Sequence, residues 1–170
     1  MIKKEKLDSA PLDITSAVRD VILLLQSNAV MRSISVSLQT EPEIPAVQGD
    51  RIQLQQVVLN LLLNAFDAMN DSNASDRAVL LNIGRNDERM LRVSITDAGP
   101  ELPAGSLERV FDAFYTTKSN GLGMGLSISR SIVEAHGGRL WAESNSGRGA
   151  TFSFTIPIAM HAESGPITNR

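Results

Sequence analysis

The chain is first defined by what it lacks. Its 170 residues include no cysteine, which excludes a disulfide framework and a thiolate metal site. Two histidines are too few to build a histidine-rich metal centre. The 16 basic residues are outnumbered by 19 acidic ones, so the net charge is −3 and we expect no nucleic-acid partner.

Long hydrophobic runs are also missing. No apolar segment approaches the ~20 residues that a membrane-spanning helix needs, and the first residues lack the apolar stretch of a secretory signal. With 42% hydrophobic and 21% charged residues, the composition is typical of a globular domain with one core. We therefore expect a soluble cytoplasmic domain from a longer protein, and the sequence leaves open whether that protein is anchored in a membrane.

Apolar periodicity predicts three helices and five strands. The helices are predicted over residues 14–31, 50–69 and 125–136. The strands are predicted over residues 33–38, 79–83, 91–95, 139–144 and 150–156, the last four as two antiparallel pairs. We predict an α+β fold, in which a mixed, mostly antiparallel sheet is packed on one side by the three helices in a two-layer sandwich.

Charge and turn residues mark the expected boundaries. Residues 1–11 are polar and charged and are interpreted as a leader, residues 12–158 as the domain and residues 159–170 as a flexible tail. Residues 41–50 are expected to form a loop. Residues 101–124 are rich in Gly, Pro, Ser and Thr and are predicted to form a long mobile connection, and such connections are usually functional.

The predicted helix over residues 50–69 carries a polar stripe on a mostly apolar surface. Asn60 and Asn64 are four residues apart and share one face, with Gln56 before them and Asp67 one turn further. Asparagine and aspartate are poor interior helix formers, and a purely solvated stripe would more often carry Lys, Glu or Arg. An asparagine oxygen is a hard ligand suited to Mg²⁺. A solvent-facing side and a ligand site both remain open on this motif alone.

Three further segments have the chemistry of a nucleotide site. Asp97-Ala98-Gly99 ends a predicted strand, where a carboxylate can accept a hydrogen bond from a base; a simple turn is the alternative. GLGMGL, residues 121–126, precedes a helix and exposes backbone N–H groups to phosphate; a flexible hinge is the alternative. In FDAFYTTK, residues 111–118, two phenylalanines would anchor the connection while Lys118 reaches phosphates; a surface turn is the alternative.

The order and spacing of these segments resemble the catalytic ATP-binding domain of sensor histidine kinases. That domain belongs to the GHKL superfamily, with gyrase-type ATPases, Hsp90-type chaperones and MutL. NLLLNAFDAM resembles the asparagine box, TDAGP the first glycine box and FDAFYTTK the phenylalanine box. GLGMGLSISRSIVEAHGGRLWAES and GRGATFSFTIP resemble the second glycine box and the closing hairpin. The resemblance covers about residues 11–157 and implies the GHKL fold.

The resemblance implies a role for each matched residue. Asn64 would ligate an Mg²⁺ ion that bridges the phosphates of ATP, with Asn60 beside it and Asp67 near the nucleotide. Asp97 would bind the adenine amino group, and Gly99 would pass close to the base.

Other matched residues would surround the phosphates and support the base. The residues expected to line the triphosphate are Gly121, Gly123, Gly125 and Leu126. Thr117 and Lys118 would act as lid residues near the γ-phosphate. Thr151 would support the adenine through Asp97 or through water.

The implied activity is that of a protein-histidine kinase in two-component signalling. Hydrolysing branches of the superfamily carry a general-base glutamate one turn before the Mg²⁺ asparagine, and here that position is Asn60, whose amide cannot take a proton at neutral pH. We therefore expect phosphoryl transfer, with Asn60, Asn64 and Lys118 as catalytic residues. The acceptor histidine would lie on a separate dimerisation domain of the same protein, and a response-regulator receiver domain would act downstream. The isolated chain is expected to be monomeric and not to phosphorylate itself.

Two features depart from the family pattern. Glu101 stands where the family usually has a second glycine, and a non-glycine residue at positive φ would cost ~1 kcal/mol or more. Either Glu101 turns outward or nucleotide binding is weakened. The acceptor histidine is missing, since His161 lies in the tail and His136 is interpreted as a capping or packing residue. The alternatives are a GHKL-type ATPase, a nucleotide-binding regulatory module with weakened ATP binding, and a protein serine kinase of the same superfamily.

Overall fold

A computed structural model describes residues 8–70, 76–103, 105–112, 125–146 and 148–160. Within these ranges the chain forms seven strands, four α-helices and one 3₁₀ turn at Arg109–Phe111. The strands are β1 (Ala10–Leu12), β2 (Ser35–Thr40), β3 (Val47–Gly49), β4 (Ala78–Arg85), β5 (Met90–Thr96), β6 (Leu140–Ser144) and β7 (Ala150–Pro157). The helices are α1 (Ile14–Leu24), α2 (Gln26–Met31), α3 (Arg51–Asn70) and α4 (Gly125–Ala135). None of the helices in these ranges is long and apolar enough to cross a membrane.

The main sheet has five strands in the order β2-β4-β5-β7-β6. β2 runs parallel to β4, and the other three neighbouring pairs are antiparallel. The β4–β5 and β6–β7 hairpins confirm the two predicted antiparallel pairs. At the β4–β5 turn, the N–H groups of Arg89 and Met90 donate to Asp87 Oδ1, and the bond from Arg89 is the main cause that lowers the pKa of Asp87. The predicted α+β class with a mixed sheet is confirmed.

Helices cover one face of this sheet, and β4 and β5 alternate between buried side chains and more exposed ones. On β5, Leu91, Val93 and Ile95 are buried, and the residues between them face away from the helices. The side chains through which α3 enters the core are at most 2% exposed: Leu54, Val57, Val58, Leu61, Leu62, Ala65, Phe66 and Met69. Burial of one Leu or Phe side chain stabilises the fold by about 1.5–3 kcal/mol, so α3 is held firmly and its polar stripe has a defined direction.

The first predicted helix is interrupted. The segment predicted as one helix over residues 14–31 forms α1 and α2, which are separated at Leu25. Leu25 has φ −92° and ψ 1°, and its N–H is shared between carbonyls of the last turn of α1. Because the Leu25 side chain stays buried, the apolar period continues through the break, so periodicity alone does not reveal that the helix is interrupted. β2 begins at Ser35, two residues later than predicted, because Ser33 has φ 56° and turns the chain after α2.

A two-stranded sheet lies next to the main one, where a leader and a loop were predicted. β1 pairs antiparallel with β3, so the loop prediction for residues 41–50 is wrong over Val47–Gly49. Strands of three residues are too short to show an alternating pattern. Near the other end of the chain, Ala159 is buried and its N–H donates to the Ala46 carbonyl at 2.8 Å. Ala10 and Pro11 of the expected leader and Ala159 of the expected tail therefore pack on the domain.

Candidate nucleotide site

The polar stripe of α3 faces the start of α4. Asn60 is half-buried, and its Nδ2 donates to the Gly125 carbonyl oxygen at 3.3 Å and to the Ser129 hydroxyl at 3.2 Å. Ser129 is fully buried. A Cβ at Gly125 would lie 3.8 Å from the Asn60 side chain, which is ordinary contact. Asn60 thus ties the first turns of α4 to α3.

Asn64 follows one turn later on the same half-buried face of α3. Its amide oxygen is a neutral oxygen ligand of the kind that Mg²⁺ accepts. In the part of the chain that the structure describes, no group of three or more His, Cys, Asp or Glu side chains could hold a metal ion. Asn64 would offer an Mg²⁺ ion one protein oxygen, and phosphates of the nucleotide and water would have to supply its other ligands.

Asp67, which was also expected near the nucleotide, joins two helices. Its Oδ1 accepts a hydrogen bond from Arg32 Nη1 at 2.9 Å in an ion pair. The Arg32 carbonyl accepts from Arg77 Nε at 2.9 Å, and Arg77 Nη1 also donates to the Met69 carbonyl at the end of α3. These bonds hold the end of α2 against the end of α3, while a contact between Asp67 and a nucleotide stays a prediction.

Asp97 directly follows β5, and its carboxylate lies on the helix side of the sheet. It continues the buried row of that strand and is 5% exposed. Its backbone N–H donates to the Ala150 carbonyl at 3.0 Å, and its Oδ1 accepts the N–H of Gly99 at 2.9 Å. A buried carboxylate needs hydrogen-bond partners to offset its lost solvation. The turn from Asp97 to Gly99 therefore fixes the orientation of the acid.

Gly99 packs against the helix that carries Asn60 and Asn64. A Cβ built on Gly99 would stand 2.9 Å from the Ala68 carbonyl oxygen, closer than real side chains come. Ala68 follows Asn64 by four residues and lies about one turn further along α3. Glycine at this position lets the Asp97 turn touch α3 beside the asparagine face.

Arg148 and Gly149 in the β6–β7 turn also hold the Asp97 turn, and no sequence motif had predicted a role for either residue. Gly149 has φ +86°, and a Cβ there would overlap the Asp97 carbonyl oxygen. Arg148 Nε donates to the Ala98 carbonyl at 3.0 Å. The GRG sequence between two strands does signal a turn glycine, but nothing in it indicates which segment the turn contacts.

The resemblance implied that Thr151 supports the adenine through Asp97 or through water, but the structure does not bring the Thr151 side chain to Asp97. Thr151 pairs with Thr96 across the β5–β7 ladder, with their hydroxyls 2.9 Å apart, and its hydroxyl donates to Asn145 Oδ1 at 3.0 Å. Alternate residues of a strand face opposite sides of the sheet. Thr151 is therefore on the face away from the helices, and the buried Ala150 is the residue on the side of Asp97.

Glu101 is exposed and its backbone is unstrained. In the described ranges, the non-glycine residues with positive φ are Ser33 and Glu43, so Glu101 does not have the conformation for which a cost was expected. That expected cost is wrong, since Glu101 does not have a positive φ. Of the two expectations, an outward side chain is the one that agrees with the exposure of Glu101.

Phe111 anchors the described end of the long connection. It is 4% exposed, its ring centroid lies 6.0 Å from that of Phe152, and the Arg130 guanidinium lies 5.3 Å from its ring. Leu126 is half-buried in the first turn of α4. Residues 113–124, expected to be mobile, lie outside the described residues. That segment contains the expected phosphate and lid residues Thr117, Lys118, Gly121 and Gly123.

This fold and this arrangement of side chains define a family. The family model described as histidine kinase-, DNA gyrase B- and HSP90-like ATPase matches residues 49–160, which is more than half of the chain. The chain belongs to this family and is homologous to the catalytic domains of sensor histidine kinases.

Two curated relatives are longer sensor proteins. Sensor protein FixL of Bradyrhizobium diazoefficiens is 43% identical over 128 residues, which are 75% of this chain and 25% of FixL. Sensor histidine kinase TmoS of Ectopseudomonas mendocina is 37% identical over 150 residues, which are 88% of this chain and 15% of TmoS. The chain thus spans a quarter or less of each of these relatives.

Solved structures show the same fold. The catalytic domain of histidine kinase ThkA has a TM-score of 0.76 and 30% identity, and the match covers 89% of this chain and 96% of that one. ThkA is also known in complex with the response regulator protein TrrA, where the TM-score is 0.78 at 30% identity over 92% of this chain and 44% of that one. Full-length ShkA in complex with AMPPNP gives a TM-score of 0.79 at 30% identity, over 91% of this chain and 32% of ShkA.

Proposed function

We propose that this chain binds MgATP and transfers the γ-phosphoryl group to a histidine on a separate dimerisation domain of the same protein. The observation that carries the proposal is the contact of Gly99 with Ala68. This contact seats the buried Asp97 carboxylate beside the face of α3 that holds Asn60 and Asn64. An acceptor for adenine and a ligand for a phosphate-bound metal therefore lie on adjoining elements.

The nucleotide would span these two elements. The Asp97 carboxylate accepts from the adenine amino group, and it disfavours guanine, which presents a carbonyl oxygen at that place. The N-terminus of α4 at Gly125 directs N–H groups and the positive end of the helix dipole towards the triphosphate. Asn64 offers the oxygen ligand for Mg²⁺, which neutralises phosphate charge when it is bound. The ShkA complex with AMPPNP, an ATP analogue, supports nucleotide binding by homology.

Asn60 favours transfer to an acceptor over hydrolysis. It occupies the position one turn before Asn64 and is an amide, which cannot remove a proton from water at neutral pH. Its nitrogen already donates to Gly125 and Ser129, which gives it a role in holding α4 against α3. Positioning and charge neutralisation make up most of phosphoryl-transfer catalysis, so an acceptor group supplied from outside completes the reaction.

The acceptor is proposed to lie on another domain. His136 is 8% exposed and both of its ring nitrogens take part in hydrogen bonds, and His161 lies outside the described residues. The complex of ThkA with TrrA supports a response-regulator receiver domain as the next partner. We further propose that the chain is monomeric and acts in the cytoplasm, where ATP is available.

The test is a transfer reaction with the dimerisation domain of the same full-length protein. We expect γ-labelled MgATP and the chain together to label that domain with a phosphate that is labile in acid and stable in base, as phosphohistidine is. The chain alone should take no label. Multiple-turnover release of phosphate without an acceptor domain would instead indicate a GHKL-type ATPase and would contradict the proposal.

A further inference from the structure

We infer that Arg148 is a positioning residue for the adenine site, an inference that rests on the proposed function. Arg148 is exposed in the β6–β7 turn. Its Nε donates to the Ala98 carbonyl oxygen at 3.0 Å, and its Nη2 donates to the Asp76 carbonyl oxygen at 3.2 Å. One guanidinium therefore joins the loop after β5 to the segment before β4.

The bond to Ala98 holds one peptide plane at both ends. The Ala98 carbonyl and the Gly99 N–H belong to the same planar peptide unit, in which they point in opposite directions. Arg148 binds the oxygen end, and Asp97 Oδ1 accepts the N–H end at 2.9 Å. A rotation of this peptide would break both bonds. Arg148 thereby holds the donor that orients the Asp97 carboxylate.

The turn that carries Arg148 is shaped for this contact. Gly149 has φ +86° and leaves no room for a Cβ against the Asp97 carbonyl oxygen, so the turn lies directly on the backbone of Asp97. The planar fork of arginine can donate to two carbonyl oxygens at once. A lysine keeps the charge at this position but does not present the same fork.

The hydrogen bond from Arg148 to Ala98 and the one from Gly99 to Asp97 together form a clamp, which orients the site before the nucleotide binds. Without it, the peptide after Ala98 samples other orientations, and the Asp97 carboxylate must be ordered when the base binds. Loss of the clamp should weaken adenine nucleotide binding about fivefold, which corresponds to about 1 kcal/mol. Because Arg148 acts at the base end, the factor should be the same for ADP and for AMPPNP.

The test compares the unsubstituted chain with R148Q, R148K and the control R139Q. Arg139 is an exposed arginine at the other end of the same hairpin, with its guanidinium 5.1 Å from the Trp141 ring. Calorimetric titration gives the Kd for ADP and for AMPPNP, and amide exchange gives the protection of the Gly99 N–H without nucleotide. We expect R148Q to weaken both nucleotides equally and to speed exchange at Gly99. R139Q should change neither, and R148K should recover only part of the affinity.

Three results would overturn the inference. They are unchanged affinity and unchanged Gly99 exchange in R148Q, full recovery in R148K, and an equal loss in R139Q. Thermal unfolding of each variant checks that it remains folded. If the unsubstituted chain bound neither nucleotide, the proposed function would fail, and the exchange of Gly99 would still decide whether Arg148 holds the peptide.

Discussion

His136 accepts the backbone N–H of Asp50 through Nε2, at 3.0 Å and across 86 residues of sequence. Its Nδ1 donates to the Ile132 carbonyl at 2.8 Å. One accepting and one donating nitrogen require the neutral ring. Asp50 also caps α3, because its Oδ1 accepts the N–H of Gln53 at 3.1 Å. The end of α4 is thereby fixed to the beginning of α3, which agrees with the capping or packing role predicted for His136.

Replacement of His136 by alanine should lower the free energy of unfolding by about 2 kcal/mol, because it leaves the part-buried N–H of Asp50 without its acceptor. His136→Gln should lose less, since its side-chain oxygen can accept the same N–H. Denaturant unfolding measures both variants. A loss below about 0.5 kcal/mol in the alanine variant, the range of a neutral surface change, would contradict the structural role.

Asp97→Asn should remove the preference for ATP over GTP and weaken ATP binding about tenfold or more. The asparagine oxygen can still accept the N–H of Gly99, so the turn is kept while the charged acceptor is lost. Titrations with ATP and GTP analogues give the ratio of the two Kd values. Thr151→Val is the matched control, because it removes a hydroxyl on the opposite face of the sheet and should leave the ratio unchanged. An Asp97→Asn chain that keeps the original ratio would show that Asp97 does not bind the base.

Asn64→Leu should abolish the strengthening of nucleotide binding by Mg²⁺. Leucine has a similar volume but no oxygen to offer the metal. Gln56→Leu is the control, since Gln56 lies two turns earlier on the same stripe and is exposed. AMPPNP titrations with and without Mg²⁺ separate the two variants. The same Mg²⁺ effect in both would count against Asn64 as the ligand.

Glu101→Gly should leave the affinity for AMPPNP unchanged within about twofold, because Glu101 is exposed and its backbone is unstrained. The same variant should lower the free energy of unfolding by about 0.5–1 kcal/mol, since glycine adds freedom to the unfolded chain. Calorimetry and denaturant unfolding measure the two effects. A large gain in affinity would show that Glu101 does weaken nucleotide binding and would support the regulatory-module alternative.

Periodicity was enough to predict the parts of the fold that position the site. The apolar face of α3 is set by residues at helical spacing such as Leu54, Val58 and Leu61, and the polar stripe follows from them. The alternation of β7 was also readable: Phe152, Phe154 and Ile156 define the core face, so Thr151 has to face the other way. The family pattern implied a role for Thr151 at the adenine, but the strand period predicts that its side chain faces away from Asp97.

Other features depend on contacts between distant segments. The left-handed conformation of Gly149 is explained by its contact with Asp97, and the role of the Arg148 guanidinium by its bond to Ala98. No local sequence pattern indicates that these residues are in contact. β1 and β3 have three residues each and show no period. The approach of Gly99 to Ala68 likewise follows from the packing of the β5 end on α3, which a one-dimensional pattern does not contain.

The direct test of the proposed MgATP site is calorimetric titration of the chain with AMPPNP, with and without Mg²⁺. We expect binding in the micromolar range that Mg²⁺ strengthens, because Asp97 and Asn64 hold the two ends of one ligand. No binding at millimolar AMPPNP in either condition would contradict it, and the fold would then serve a role other than the binding of ATP.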